Sequence, residues 1–206
     1  MVTIFLAGQE TGNAWADVLM GSVNPSGKLP VTFPLRDGDL VAPCEGRHSN
    51  HCVYEEGLNV SWRGMIGKEV GFPFGHGLSY TSFGYSWVQQ PHMLAAGANM
   101  SIEVVNTGST AGAEVAQLYL RFPASTGEPD FVLRGFAKTS VLQPAARQQL
   151  AFELSRRDLS VYEEGSAEPG VNVLPGWRYL GDGARFGIAV GSHSRDVRLE
   201  AELVTA

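Results

Sequence analysis

Carboxylate side chains could carry out acid–base chemistry, and this sequence holds two adjacent pairs of them. Glu55 stands beside Glu56, and Glu163 stands beside Glu164. Neighbouring side chains of an extended segment point to opposite faces, so neither pair can act together on one substrate. We therefore predict that both pairs belong to the solvated surface.

A second group of residues with potential chemistry lies between positions 44 and 52. Cys44, His48, His51 and Cys52 are residue types that bind zinc. Their spacing is not that of a standard zinc finger, and adjacent ligands at His51 and Cys52 would strain a tetrahedral site. We predict no metal site. A Cys44–Cys52 disulfide is expected if the protein is exported, and free thiols if it is cytosolic.

Four tryptophans could stack on the apolar face of a sugar ring. Trp62 and Trp177 lie in predicted loops, and they are the candidate substrate-binding residues. Trp15 and Trp87 are predicted to pack in the core. His76, which glycines flank, is predicted to have a packing or backbone hydrogen-bonding role. No phosphate loop or Ser–His–Asp set stands out, so we predict no cofactor.

An excess of acidic residues limits the kinds of partner. The 206 residues include 15 Lys and Arg against 21 Asp and Glu, a formal net charge of −6. Nucleic acids and anionic membranes require clustered basic residues, so we predict neither as a partner. A neutral ligand such as a sugar is compatible with this charge. The sequence also has no apolar run that approaches the roughly 20 residues needed to cross a bilayer.

Two sequons make Asn59 and Asn99 candidate glycosylation sites. They fit a secreted protein, although such short motifs also arise by chance. The compartment is therefore left open by the residues alone.

The first 68 residues have the pattern of an incomplete α/β unit. Val2 to Leu6 is an apolar run typical of a strand buried in a parallel sheet. Asn13 to Met20 is predicted to be a short helix that ends at Gly21, which can adopt positive φ. Glu10 and Asp17 flank this helix, where we expect a structural role, with pocket lining as the alternative. A chain that opens inside a buried strand indicates a shortened N-terminus.

The remaining chain has the two-residue period of β-strands. Leu29 to Phe33 is predicted to be an edge strand and Tyr54 to Arg63 a further extended segment. From Phe83 onward, about seven short strands separated by turns indicate an immunoglobulin-like or fibronectin type III-like sandwich. Residues 165–183 are predicted to be a loop. The strands delimited by the pattern are Ser101–Val105, Glu114–Arg121, Val132–Val141, Gln148–Leu154, Arg185–Val190 and Val197–Val204.

Several motifs occur together in a characteristic order. They are GQETGNAWADVLMG (Gly8 to Gly21), NPSGKLPVTFP (Asn24 to Pro34), YEEGL (Tyr54 to Leu58) and VGFPFGHGLSY (Val70 to Tyr80), followed by VVNTGSTAGAEVAQLYL, LRGFAKTSVLQP, FELSRRDLSVYEE and GIAVGSHSRDVRLEAEL. In this order and spacing they resemble the C-terminal third of a glycoside hydrolase family 3 β-glucosidase. The resemblance covers nearly the whole chain.

The resemblance implies a retaining glycosidase, which needs two carboxylates about 5 Å apart. In that family the nucleophile lies in an N-terminal barrel, a fold of about 250 residues, and the acid/base glutamate lies upstream of the segment matched here. No position of this sequence matches either motif, so we predict no catalytic residue in the chain and no activity for the chain alone. A secreted parent protein is implied, acting on a β-glucoside or oligosaccharide.

We therefore predict a mostly β chain with a partial α/β unit. Residues 1–68 would be the C-terminal remnant of an α/β sandwich, 69–84 a linker, and 85–206 a fibronectin type III-like domain. The chain would serve as scaffold or active-site rim, with the missing barrel and α/β domain as its partners. The alternatives are a stand-alone sugar-binding or protein-interaction module and an inert truncated product.

Overall fold

A β-sandwich forms the larger part of the molecule. The computed structural model describes residues 2–40, 54–165, 174–181 and 183–205. Its strands are β3 (Phe83–Leu94), β4 (Gly97–Asn106), β5 (Val115–Arg121), β6 (Val132–Lys138), β7 (Arg147–Ser155), β8 (Ser160–Glu163), β9 (Gly176–Tyr179), β10 (Arg185–His193) and β11 (Asp196–Val204). One antiparallel sheet has the strand order β3–β4–β7, and a second has the order β11–β10–β5–β6. A separate hairpin pairs β8 with β9.

The core lies between the inner faces of the two sheets. Along β4, buried side chains alternate with half-buried ones from Ala98 to Asn106, as expected when one face of a strand meets the core. Burial of each large apolar side chain contributes about 1.5–3 kcal/mol. The largest fully buried apolar members are Met100, Ile102, Val104, Leu118, Leu120, Leu154, Leu159, Phe186, Ile188 and Val190.

Strand β5 is buried on both faces, unlike a strand at the outside of a free sandwich. Leu118 and Leu120 point into the core, whereas Gln117 and Tyr119 occupy the outward positions and are nevertheless only 3% and 0% exposed. Residues 62–75 cover this outer face, where Trp62 and Phe74 pack on a second apolar cluster built around Tyr119. A polypeptide segment outside the sandwich therefore completes the burial of its central strand.

The N-terminal part contains one helix, α1 (Thr11–Leu19), and a two-stranded sheet of β1 (Phe33–Pro34) and β2 (Val70–Phe72). Short 3₁₀ helices lie at Asp37–Asp39, Ser61–Met65 and Ala124–Thr126. The helix ends as predicted, because Gly21 has φ of 78° and its missing Cβ permits that conformation.

Four predictions of secondary structure differ from the structure. Val2 to Leu6 forms no strand and Leu6 is 101% exposed, because a parallel strand needs neighbours to satisfy its backbone and none lies among the described residues. Residues 54–63 form a turn, with Gly57 at φ of 53°, and the start of a 3₁₀ helix. The predicted strand from Leu29 is limited to Phe33 and Pro34, and part of the loop predicted at 165–183 forms β9 instead.

Candidate functional site

The Asn24–Pro34 and Val70–Tyr80 motifs pack against one another and against the sandwich. A Cβ at Gly75 would collide with the Gln117 side chain, and a Cβ at Gly77 would collide with the backbone oxygen of Gly27. Gly75 also has φ of 80°, which side chains rarely tolerate. The glycines of the second motif are therefore required by close approach to the first motif and to β5.

Gln117 joins the second motif to the sandwich. Its Nε2 donates hydrogen bonds to the backbone oxygens of Gly75 at 3.1 Å and Ser192 at 2.7 Å, and its Oε1 accepts from the Tyr119 hydroxyl at 2.6 Å. Because the amide is buried, its partners depend on it for their hydrogen bonds. This side chain thus fixes the 70–77 segment to the β10–β11 end of the sheet.

Asn24 plays the corresponding part in the first motif. Its Nδ2 donates to the backbone oxygen of Ala111 at 2.9 Å, and its Oδ1 accepts from the backbone N–H of Tyr80 at 2.8 Å and from the Ser79 hydroxyl at 2.9 Å. One amide therefore connects three segments that are distant in the sequence.

A largely buried ion pair lies at the same junction. Lys28 Nζ is 2.7 Å from Glu114 Oε1, and the two side chains are only 13% and 10% exposed. Glu114 Oε1 also accepts from the backbone N–H of Val115 at 2.7 Å. Buried charges are tolerated when each has such a partner, so this pair places the N-terminal part on the sandwich in one position.

Two histidine rings meet where the second motif contacts the β10–β11 hairpin. The centroids of His76 and His193 are 5.3 Å apart, and His193 Nδ1 accepts from the backbone N–H of Arg195 at 3.1 Å. Burial lowers the pKa of His193 from 6.5 to about 4; Asp196 opposes this shift, and His76, Lys28 and Arg198 reinforce it. Burial and then Lys28 also lower the pKa of His76. Both rings are therefore neutral at pH 7.

We expect the stability of the chain to fall as the pH drops from about 6.5 to about 4. In that window unfolded His193, with its ordinary pKa, binds a proton that the folded ring excludes, so protons favour unfolding. The effect of this half-buried group, discounted for solvent screening, is about 1–2 kcal/mol. His193→Asn, which keeps an acceptor for Arg195, should reduce the loss of unfolding free energy between pH 7 and pH 4.5 by that amount in urea titrations.

The exposed His92 provides the control for this pH dependence. His92→Asn should leave the difference between pH 7 and pH 4.5 unchanged. Equal pH dependence in wild type and His193→Asn would show that the junction histidine does not contribute.

The structure places Trp62 in an aromatic cluster on the outer sheet face. Its ring stacks on Phe74 at 4.8 Å between centroids, and it lies at 76° to the Tyr119 ring with the centroids 5.8 Å apart. Tyr119 in turn stacks on Phe131 at 4.5 Å. Trp62 remains half-buried rather than enclosed, so the predicted binding residue is both a packing residue and a wall of an open cleft.

That cleft has a volume of about 360 Å³ and lies between residues 62–67 and the outer sheet face. Its polar wall includes Arg121, Asp130 and Arg195, and its apolar wall includes Trp62 and Phe131. A second cavity of about 390 Å³ adjoins it, since Ile66 and Asp130 line both. No sequence pattern predicts that Arg121, Asp130 and Arg195 converge, because the three residues come from different strands and loops.

Trp177 lies elsewhere, on the β8–β9 hairpin. It is 47% exposed and faces its cross-strand partner Tyr162, which is 50% exposed, at 5.3 Å between centroids. The guanidinium of Arg157 lies 3.6 Å from the centre of the Trp177 ring, so a cation already occupies one of its faces. The structure therefore does not bring the two predicted tryptophans into one site.

The other predicted residues are divided among the core, the surface and the part of the chain outside the described residues. Trp87 packs against the core as predicted. The prediction that Trp15 also packs in the core is wrong, because it is only half-buried within α1, a helix with no buried residue. Asn59 is exposed, whereas Asn99 is half-buried in β4 and accepts from Gln89 Nε2 at 3.2 Å.

The adjacent carboxylates and the cysteine–histidine group are the remaining candidates. Glu55 and Glu164 are exposed, and Glu56 and Glu163 are half-buried. Glu163 pairs with Arg178. Cys44, His48, His51 and Cys52 lie outside the described residues, so the predicted disulfide stays a prediction. Within the described ranges, no three His, Cys, Asp or Glu side chains group as metal ligands would.

Comparison with protein families matches the two parts of the chain separately. Residues 1–80 match the glycosyl hydrolase family 3 C-terminal domain, and residues 114–194 match a fibronectin type III-like domain. A probable β-glucosidase D from Aspergillus niger is 36% identical over 94% of this chain and 27% of that protein. The chain belongs to glycoside hydrolase family 3 and corresponds to the C-terminal region of its members.

Solved structures agree with this assignment. This family 3 region superposes on β-glucosidase 3B from Thermotoga neapolitana, solved in complex with glucose, with a TM-score of 0.85 and 33% identity, covering 97% of this chain and 27% of that one. For β-D-glucoside glucohydrolase from Trichoderma reesei, the TM-score is 0.78 and the identity 32%, over 96% and 29% of the two chains. The chain therefore spans less than a third of the length of these relatives.

Over the part of the chain that the structure describes, no helix has the length and apolar character required to span a bilayer.

Proposed function

We propose that this family 3 region is the non-catalytic C-terminal part of a retaining β-glucosidase, supporting the active-site domains and lacking the nucleophile and the acid/base residue. The whole protein would hydrolyse a β-glucoside or a short oligosaccharide, as the names of its relatives suggest. Its partners would be the catalytic barrel and the remainder of the α/β domain. The proposal agrees with the prediction that no catalytic residue is present.

The observation that supports the proposal is a difference in burial within the N-terminal part. The Asn24–Pro34 and Val70–Tyr80 motifs are packed on the sandwich, whereas the region around α1 is exposed. The two motifs are held to the sandwich by the Gln117 and Asn24 hydrogen bonds and the Lys28–Glu114 ion pair. By contrast, large apolar side chains around α1 face solvent, which is the property of a surface that another domain covers. These exposed side chains are Val2, Phe5, Leu6, Leu19 and Met20.

A chimaera tests this role directly. In the Aspergillus niger relative, the matching C-terminal part would be replaced by this chain and compared with the same protein lacking that part. We expect the chimaera to hydrolyse an aryl β-glucoside and the truncated protein to lose at least 90% of its activity. Equal activity of the two would contradict the supporting role.

The isolated chain should show no turnover of the same aryl β-glucoside above the blank. Turnover that a single Glu or Asp substitution within the chain abolishes would overturn the non-catalytic assignment.

A second candidate function is a stand-alone sugar-binding or protein-interaction module. The exposed Trp177 and Tyr162 pair favours it, because exposed tyrosine and tryptophan side chains are common in binding surfaces. Calorimetric binding of cello-oligosaccharides that Trp177→Ala abolishes would support this function over the scaffold role.

A further inference from the structure

The cleft beside Trp62 has the composition of a carbohydrate site. One face of the Trp62 ring is covered by Phe74, with an angle of 10° between the ring planes. Because Trp62 is half-buried and lines the cleft, part of its ring remains open to a ligand. A flat aromatic surface suits the face of a pyranose ring on which only C–H groups project. The Tyr119 and Phe131 rings beneath are buried, so this surface is held rigidly before any ligand binds.

The polar wall offers both hydrogen-bond donors and an acceptor. The Arg121 guanidinium lies 5.0 Å above the Phe131 ring, and its Nη1 donates to Glu200 at 3.0 Å. Four further N–H groups of this guanidinium are left for other acceptors. The Asp130 carboxylate is exposed and pairs with no described residue. Each hydroxyl of a sugar can both donate and accept a hydrogen bond. The Arg121 N–H groups can donate to such hydroxyls, and the Asp130 carboxylate can accept from them.

Arg195 fixes the shape of the cleft. Its Nη2 donates to the backbone oxygen of Met65 at 2.8 Å and to that of Lys68. These bonds hold the end of the Ser61–Met65 3₁₀ helix against the β10–β11 hairpin, so the wall that carries Trp62 does not have to order on binding. Sites of this kind lose little conformational entropy when occupied.

Size and charge favour a short neutral sugar. The cleft of about 360 Å³ is at the small end of ligand sites, and the adjoining cavity of about 390 Å³ provides room for a second ring. Asp130 and Glu128 line the second cavity together with Arg63, so an anionic ligand would meet two carboxylates as well as the arginine. A phosphate or a nucleic acid is disfavoured for the same reason.

We propose that the two adjoining cavities form a binding site for a neutral β-linked disaccharide, with Trp62 under one ring and Asp130 between the two subsites. The choice of sugar rests on the proposed function, whereas the site rests on the geometry. It is separate from the Trp177 hairpin.

The test is a titration of the chain produced in bacteria, so that Asn59 at the second cavity carries no glycan. Glucose and cellobiose would be added while amide and indole N–H signals are followed by NMR. We expect saturable shifts at the Trp62 indole, Ser194 and Arg195, with cellobiose binding at least 5-fold more tightly than glucose. Asp130→Asn should weaken cellobiose binding at least 10-fold.

Asp37→Asn is the matched control, since it makes the same change of charge at an exposed position outside the cleft. It should leave the affinity unchanged. No saturable shift, shifts centred on Trp177, or equal effects of the two substitutions would each overturn the site. The chimaera measures β-glucosidase activity independently, so failure of this titration would leave the scaffold role standing.

Discussion

Gln117→Leu is expected to lower the free energy of unfolding by about 3–4 kcal/mol. The substitution keeps the volume but leaves the Tyr119 hydroxyl and the backbone oxygens of Gly75 and Ser192 without their hydrogen-bond partner. Each unsatisfied buried group costs about 1–3 kcal/mol, and partial relaxation reduces the sum. Urea denaturation at pH 7, followed by tryptophan fluorescence, measures the change.

Gln149→Leu provides the comparison, because this glutamine lies exposed on β7. Its effect should stay within about 0.5 kcal/mol. If Gln117→Leu were no more destabilising than Gln149→Leu, the hydrogen bonds to the 70–77 segment would not contribute to stability.

Lys28→Met should destabilise the chain by about 3 kcal/mol. It leaves the Glu114 carboxylate largely buried without its cation, and an uncompensated buried charge is costly. The double variant Lys28→Met with Glu114→Gln removes that charge and should recover at least half of the loss. The measurement is again the urea midpoint and slope at pH 7.

An exposed ion pair serves as the control for this experiment. Arg185 Nη1 lies 2.5 Å from Glu202 Oε1, but the two side chains are 70% and 55% exposed. Arg185→Met should cost less than about 1 kcal/mol. Equal losses for Lys28→Met and Arg185→Met, or no recovery in the double variant, would contradict the importance of burial.

Sequence patterns predicted the elements that are determined by residues close to one another in the chain. The helix and its end at Gly21 follow from local conformational preference. Alternation of the kind seen in β4 predicted six strands of the sandwich, which are β4, β5, β6, β7, β10 and β11, whereas it did not delimit β3 and β8. Residues 2–6 were predicted wrongly because an apolar run specifies burial but not a partner. The short strand β9 was missed because four residues in a glycine-rich stretch carry no usable period.

The candidate site was predictable only in part. Trp62 could be selected as an aromatic residue in a loop, and the structure places it in the cleft. Its companions Arg121, Asp130 and Arg195 carried no signal, because tertiary packing alone brings them together. A better clue was available in β5, where a glutamine and a tyrosine occupy the outward positions. The large Tyr119 side chain at an outward position indicates that another segment of the chain covers the outer face of β5, and the structure shows this ring fully buried.

The covered outer face of β5 limits how this protein can be divided. A piece that starts at residue 85, the predicted start of the fibronectin type III-like domain, would expose Tyr119 and Phe131 to water and leave the Gln117 amide without its acceptor at Gly75. Such an excised sandwich would be prone to self-association. The smallest unit that keeps this face covered therefore begins upstream of Trp62, and an exchange of this sandwich into another protein has to include residues 62–75.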